Sequence, residues 1–364
     1  MRRLRADHGA LKVAFLFIGM PVGGAEDFAL GVYPHLAPEV DARFVCLRSL
    51  DLLGEEARAK GMPVELLPLF PTKRLDPFKI WRFSRWLRRE GIDVLHTQTY
   101  HAHLFGAAAA RLAGIPVVIH QQKTLGHLSW RKEFLFRWCL RGARKIITLS
   151  EQTKSDIASR YVIPSGRIQV VPNAIDEREF HPAVDKAAIR RKLGLPEKGF
   201  LFGTVASLHP VKNHRTIIEA LALGDHGANA VFVGDGVERE NLERLAKERG
   251  LSGRVFFAGR QRPVAPWFQA FDAFLLSSTW EGQALALLQA ISCRLPILAS
   301  RIEGNAAILG ENHPGFFDPT DVSELAALMK TVVSDPARFL PLEPNVPTCQ
   351  AAAEMLKKIY AEAR

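Results

Sequence analysis

Ser278-Thr-Trp-Glu-Gly-Gln-Ala-Leu-Ala-Leu-Leu-Gln-Ala290 is the stretch from which the rest of the chain can be read. The run Ala273–Leu276 leads into it. It is short, apolar and uninterrupted, as a strand buried on both faces of a parallel sheet must be. Glu281-Gly282 predicts a turn, and Ala284–Ile291 is rich in strong helix formers. The product is strand, loop, helix. In an open α/β sheet such a loop lies at the carboxyl end of its strand, where ligands bind. Gly282 lets the backbone approach a ligand closely. The N–H groups of the helix start, around Gln283, Ala284 and Leu285, suit an anion such as a phosphate. Glu281 and Gln289 are roughly two helical turns apart, which predicts that they share one side.

Outward from this stretch, 364 residues exceed one typical core and predict two domains. A hydrophobic content of 48% with 24% charged residues is that of a globular chain. Cys46, Cys139, Cys293 and Cys349 are scattered, which predicts a reducing compartment and no disulfide framework. The basic start, Met1-Arg-Arg-Leu-Arg, is followed by an apolar run too short for a signal core, so Val13–Ile18 reads as a strand. No stretch approaches the roughly 20 apolar residues of a membrane span. The charge is lopsided: residues 1–175 hold 26 Lys+Arg against 15 Asp+Glu, and the remainder 22 against 23. Only the first half is expected to face an anionic partner.

Other stretches repeat the strand–turn–helix grammar. Lys12–Ile18 precedes Gly19-Met-Pro-Val-Gly-Gly24-Ala-Glu26, a phosphate-compatible loop without the G-x-G-x-x-G spacing of dinucleotide binders. A tight turn explains these glycines equally well. Ile92–Gln98 reads as a strand, with Tyr100-His101-Ala102-His103 leading into a helix over Leu104–Ala113 and then the strand Val117–His120. These histidines lack the fixed Cys/His/carboxylate spacing of a zinc site. A basic aromatic run, Trp130–Arg144, precedes the strand at Lys145. Beyond Gln169-Val-Val-Pro-Asn173-Ala-Ile-Asp176, the strand Phe200–Ala206 runs into Ser207 and Lys212, and Val231–Val233 into Gly234-Asp-Gly236. G-x-S-x-G hydrolase elbows and nucleic-acid motifs are absent.

Together these stretches resemble the retaining glycosyltransferases of family 4, the group 1 enzymes of the GT-B type. The family's Ser-x-x-Glu-Gly signature ends in Glu-Ala, where this chain has Gln289-Ala290. Its Gly-Gly-x-Glu is matched by Gly23, Gly24 and Glu26. Its Gly-Arg-Leu-x-x-x-Lys is matched at Lys212, with Ser207 in the arginine position. Its Val-Pro-Asn-Gly-Ile-Asp is matched with Ala174 replacing glycine.

The resemblance, spanning Val13 to about Tyr360, implies an α/β fold of two Rossmann-like domains whose parallel sheets face across a cleft. Residues 1–173 would form the acceptor-side domain and 174–348 the nucleotide-sugar domain, with helix 349–364 returning onto the first. Lys212 is then expected at the leaving diphosphate, aided by the amides of Gly23 and Gly24. Glu281 is expected at the donor sugar and Gln289 at the ribose, with Gly234 nearby and Glu26, His101 and His103 on the acceptor side. The family's reactive-face histidine falls on Gln122 or Lys123; His120, sharing a strand face with Gln122, is an equal candidate.

The implied reaction moves a sugar with retention from a nucleotide-diphosphate-sugar to a glycan or glycolipid of the lipopolysaccharide, capsule or lipid-linked type. Without any Asp-x-Asp it would need no metal or other cofactor. Because Ser207 and Gln289 alter two signature side chains, a degenerate nucleotide-sugar- or glycan-binding protein is the alternative. The segment Pro71–Glu90 carries Lys73, Arg74, Lys79, Arg82, Arg85, Arg88 and Arg89 beside Trp81 and Trp86. It is expected to rest on an anionic membrane, making the protein cytoplasmic and peripheral. A merely solvated cationic helix is the competing reading.

Overall fold

The apolar runs become parallel strands. A computed structural model of the chain describes residues 9–70, 76–121, 129–224, 227–341 and 346–364. The first part holds β1 (Leu11–Phe17), α1 (Gly24–Val32), β2 (Val40–Cys46), α2 (Asp51–Ala59), β3 (Val64–Leu66), α3 (Pro77–Arg89), β4 (Val94–Thr97), α4 (Tyr100–Ala113), β5 (Val117–Gln121), α5 (Trp130–Gly142), β6 (Lys145–Thr148), α6 (Glu151–Tyr161) and β7 (Ile168–Val170). The second begins with α7 (Lys186–Leu193), β8 (Leu201–Val205), α8 (His214–Leu223), β9 (Asn229–Val233), α9 (Arg239–Glu248), β10 (Val255–Gly259) and α10 (Ala265–Ala270). It continues with β11 (Ala273–Leu276), α11 (Leu285–Ser292), β12 (Ile297–Ser300), α12 (Glu303–Leu309), β13 (Phe316–Phe317) and α13 (Val322–Ser334), and α14 (Cys349–Ala363) ends the chain.

By contacts the chain divides into two units, Met1–Ala174 with Pro347–Arg364, and Ile175–Val346. Unit 1 has a parallel sheet in the order β3-β2-β1-β4-β5-β6-β7, and unit 2 one in the order β10-β9-β8-β11-β12-β13. Strand order reverses between β1 and β4 in the first and between β8 and β11 in the second. Ligand crevices of open α/β sheets form at such switch points.

Both faces of the unit 1 sheet are covered, which explains why β1 reads as one apolar run rather than an alternating one. Helices α3, α4 and α5 bury Phe83, Leu87, Phe105, Phe136 and Leu140 on one face. On the other, α1 and α2 are joined by α14, which buries Ala352, Ala353, Leu356, Ile359 and Tyr360. Thr348 caps α14 by accepting from the Ala351 N–H. The Tyr360 hydroxyl shares a 2.6 Å hydrogen bond with His96 Nδ1 on β4.

Helix α3 corrects one expectation. Asp76 caps it, accepting from Phe78 N and Lys79 N, and Pro77 occupies its first turn. Trp86, expected on a basic outer face, is buried instead: it stacks on Phe83 at 5.6 Å, and its indole N–H donates to Glu65 Oε1 at 3.1 Å. Several cations are also committed to structure. Arg88 donates to the Leu112 and Ala113 carbonyls at the end of α4, Arg89 pairs with Glu90, and Lys79 lies 3.8 Å from Asp76. Phe78, Trp81, Arg82 and Arg85 remain open, the Arg85 guanidinium lying over the Trp81 ring at 5.3 Å. Lys73 and Arg74 lie outside the described residues.

Candidate functional site

The switch point of unit 2 brings together two residues that are 69 apart in sequence. Lys212 ends the turn Pro210–Lys212 beyond β8, and Glu281 sits in the loop beyond β11. Lys212 Nζ donates to Glu281 Oε1 at 2.5 Å, and the Ser278 hydroxyl donates to the same oxygen at 2.6 Å. The Glu281 side chain is only 11% exposed and that of Lys212 22%. Charge-assisted bonds to a shielded carboxylate are stronger than neutral ones, so this pair is held rather than transient.

A chain of strand-end hydroxyls fixes the two loops. Ser277 Oγ reaches the carbonyls of Lys212 (2.8 Å) and Asn213 (3.0 Å), and Thr279 N donates to Val211 O at 2.9 Å. Ser300, ending β12, donates to the Ser278 carbonyl at 2.5 Å. Asn305, wholly buried on α12, donates to Ser300 O at 2.9 Å. Gly304 completes the packing: a Cβ there would lie 2.5 Å from the Glu281 carbonyl and 2.8 Å from that of Gly282. Sequence reading gave no role to Ser277, Ser300, Gly304 or Asn305. For Ser277 and Ser300 the available signal was a serine closing a buried apolar strand; Gly304 and Asn305, within α12, had none.

Glu281 precedes α11 by four residues, so helical spacing does not relate it to Gln289. Gln289 lies within α11 and is buried. Ala284 is the residue before the helix, and no side chain caps the first turn at Leu285. Gln283 is half-buried and Gly282 is exposed. Gly234, at a φ of +146°, is required by packing, because a Cβ there would lie against the Ala206 carbonyl. That contact seats the exposed Ser207 loop on the turn after β9, with Leu208 N donating to Asp235 O at 3.0 Å. The nearby His214, 3.3 Å from Ser207 O, does not replace the missing arginine: burial lowers its pKa to about 4.

In unit 1, Gly23 precedes α1 and Gly24 starts it, both just beyond β1. Glu26 is buried in the first turn of that helix. The three histidines are on α4 and β5. His101 and His103 lie within α4, which starts at Tyr100 rather than Leu104 because extended Thr99 precedes it and its carbonyl accepts from His103 N. His101 is half-buried against Phe70 and Tyr100. His103 is buried, sharing a 2.8 Å hydrogen bond with Thr97 Oγ1. His120 is 0% exposed and sits between Phe28 and His96 at ring distances of 5.3 and 5.4 Å. With no surface of its own, His120 presents neither nitrogen to a ligand in this arrangement. Gln122 and Lys123 lie outside the described residues.

Burial lowers the pKa of His103 and His120 to about 3 and holds His96 well below its usual value. The unfolded chain therefore takes up these protons first. Stability is complete above about pH 6.5, the unperturbed value, and is lost as pH falls from there toward 3. Each such ring contributes a slope of up to about 1.4 kcal/mol per pH unit. The melting temperature is expected to fall already between pH 6.5 and 5, before ordinary carboxylates titrate, and His120→Phe to flatten that fall. An unchanged melting temperature across this window would show that the rings are not held neutral.

The two parallel sheets, with Lys212 and Glu281 joined at the switch point of the second, define an α/β protein of the two-Rossmann-domain (GT-B) class. Residues 22–179 match glycosyltransferase family 4, and residues 185–346 match the group 1 glycosyl transferases. The chain is 27% identical over 353 residues to an Escherichia coli UDP-Gal:alpha-D-GlcNAc-diphosphoundecaprenol alpha-1,3-galactosyltransferase, covering 91% of this chain and 90% of that one. It is 30% identical over 258 residues to the 2-deoxystreptamine glucosyltransferase of Streptomyces kanamyceticus, 66% of this chain and 67% of that one. In fold it is similar to Anabaena HepE in complex with UDP-glucose, with a TM-score of 0.79 at 21% identity and 97% of each chain covered. The chain belongs to glycosyltransferase family 4, group 1.

Proposed function

We propose that this glycosyltransferase moves a sugar, with retention and without a metal or other cofactor, from a nucleoside-diphosphate sugar to a lipid-linked or lipopolysaccharide-type glycan. The observation that carries this reading is the Lys212–Glu281 pair at the switch point of unit 2. Lys212 and Glu281 neutralise each other as a pair. A donor offers both a new partner: its diphosphate draws the ammonium, and its sugar hydroxyls donate to the carboxylate. A fixed cation at the departing diphosphate counters the charge that develops as the glycosidic bond breaks. The sequence lacks the Asp-x-Asp pair with which metal-dependent glycosyltransferases of the other fold hold a divalent ion.

A UDP-hexose is the first donor to test, since the E. coli relative is named for UDP-Gal and the Anabaena structure holds UDP-glucose. The same relative's name supplies the acceptor class, a diphosphoundecaprenol-linked sugar. No helix among the described residues is long and apolar enough to cross a membrane. The protein is proposed to meet its acceptor from the cytoplasmic face, as a peripheral protein drawn by the cations of residues 71–90. Screening sugar nucleotides for thermal stabilisation, and then for release of nucleoside diphosphate with a lipid-linked acceptor, tests the reading. If no sugar nucleotide binds, the proposal fails.

Gln289 refines the donor site. An amide offers a ribose one acceptor oxygen, where a carboxylate offers two and binds more strongly. Gln289→Glu is expected to tighten donor binding by roughly fivefold, the gain of about 1 kcal/mol from one charge-assisted bond, with the transferred sugar unchanged. Calorimetry with the wild type and the variant decides this; equal or weaker affinity in the variant counts against a ribose contact.

A further inference from the structure

Helix α5 is unusual in what it leaves open. Trp130 is 75% exposed and Phe134 68%, and Leu135 and Trp138 are exposed too. Trp130, Phe134 and Trp138 are spaced four apart and form one stripe. On its other side α5 buries Phe136, Cys139 and Leu140 in the unit 1 core. A surface helix ordinarily turns polar residues outward; α5 is apolar on both sides.

The polar groups beside the stripe are nearly all cations. Arg131 lies over the Trp130 ring at 5.2 Å, and Lys132, Arg137 and Arg141 follow. The helix has one acid, Glu133, and Arg160 of α6 occupies both its oxygens at 2.9 and 3.0 Å. Between α4 and α5 is a recess of about 320 Å³, edged by Arg111, Arg141 and Trp138 and lined also by Ala107, Ile115 and Val117. Neither arginine forms an ion pair among the described residues. Helix α4 packs against both α3 and α5, so the open Phe78, Trp81, Arg82 and Arg85 of α3 belong to the same face of the unit.

We propose that this face seats unit 1 on an anionic lipid bilayer. Helix α5 lies along the headgroup layer with Trp130, Phe134 and Trp138 in the acyl boundary, and a lipid phosphate occupies the recess between Arg111 and Arg141. This rests on the lipid-linked acceptor proposed above, and moves the main contact from the cations of α3 to the aromatic stripe of α5. Aromatic rings suit the boundary between headgroups and acyl chains, and flanking Lys and Arg suit anionic headgroups. A second copy of the chain is a poor occupant: a twofold contact would set the face that carries Arg131, Lys132, Arg137 and Arg141 against the same cationic face. The placement also serves the chemistry. Helix α5 runs antiparallel to the strands, so its start lies at their carboxyl edge, where the Tyr100 hydroxyl donates to the Lys132 carbonyl. A bilayer lying along the whole of α5, from the recess at its end to its start, brings lipid-linked sugars to the ligand-binding edge of unit 1.

The test is flotation of the full chain with phosphatidylcholine vesicles, with and without phosphatidylglycerol. Wild type is expected to float with the anionic vesicles only, less so as salt rises. A variant with Trp130→Ser, Phe134→Ser and Trp138→Ser keeps every cation, yet is expected to lose binding at least about tenfold, since burying rings contributes most of the insertion energy. Arg111→Gln with Arg141→Gln is expected to weaken binding several-fold while keeping the aromatics. Brominated acyl chains should quench wild-type tryptophan emission and lose that effect in the triple variant. Should the triple variant fold poorly, Trp130→Ser alone, at the most exposed ring, gives the same comparison. Equal flotation of wild type and aromatic variants overturns the proposal, as does wild-type binding to neutral vesicles alone or to none. A wild-type dimer that the triple variant abolishes, with no flotation, would assign the face to a second copy. Donor binding measured in parallel on the soluble protein keeps the two readings separate: its absence refutes sugar transfer and leaves flotation to be judged alone.

Discussion

Glu281→Ala and Lys212→Ala are each expected to lower the rate of sugar transfer by about 10² or more, at unchanged acceptor affinity. The magnitude follows from losing one fixed group that opposes charge developing in a shielded site. In the proposed reaction Lys212 would act on the diphosphate, so its loss should lower kcat most, and Glu281 would hold the sugar, so its loss should also raise the donor KM. The two losses are not expected to add, because either change breaks the same 2.5 Å pair. Thermal unfolding separates this from collapse of the loops. The double variant removes both charges and should unfold near wild-type temperature, whereas Glu281→Ala leaves a half-buried ammonium without its partner. A single variant that keeps full activity would exclude the pair from the reaction.

Asp272→Ala is expected to destabilise unit 2 by about 3–5 kcal/mol, the loss typical of breaking a buried ion pair on one side. Asp272 accepts from Lys186 Nζ at 2.7 Å, Arg190 Nη2 at 2.6 Å and the Leu201 N–H at 2.8 Å. Burial pushes its pKa up, but hydrogen bonds from Lys186 and Arg190 outweigh that and hold it below the usual carboxylate value. Arg190 is itself buried and also serves the Ala270 and Gly199 carbonyls. Removing Asp272 therefore strands a guanidinium between α7 and the start of β11. Replacing Asp272 and Arg190 by leucine should recover part of the loss, since the buried guanidinium is then gone and only the exposed Lys186 loses its partner. Urea titration measures each variant; a midpoint within error of wild type for Asp272→Ala would overturn the assignment.

What could be read in the sequence was local, and what escaped depended on distant partners. Ala273–Leu276 is a strand with the bounds its apolar run predicted, and Val13–Ile18 lies almost wholly within β1. Continuous runs of that kind are the signature of strands covered on both faces. Lys212 and Glu281 could be singled out because each closes a short motif, yet their contact depends on β8 and β11 being neighbours, which no local pattern encodes. Trp86 was misplaced for the same reason: helical periodicity put it with the arginines, but Glu65, 21 residues earlier, supplies an acceptor that draws it inward. The setting of His120 was not legible, because its residue type does not tell that it stands among rings. In α5 the basic aromatic run was visible, but not which of its aromatics the core would leave outside.

Helix α14 has a consequence for the order in which the domains can be completed. A ribosome delivers Leu356, Ile359 and Tyr360 only after all of Ile175–Val346 has been made. Until then the face of the first sheet on which α14 packs is covered by α1 and α2 alone, and Phe15 lacks the Tyr360 ring against it. The second unit is contiguous and has its whole core available sooner, as a domain able to fold as a unit during synthesis requires. Vectorial synthesis therefore reverses the order of the sequence: the domain begun second is the first that can be finished. A chain arrested between Val346 and Leu356 carries one domain with its full complement of residues and one still partly open along a face.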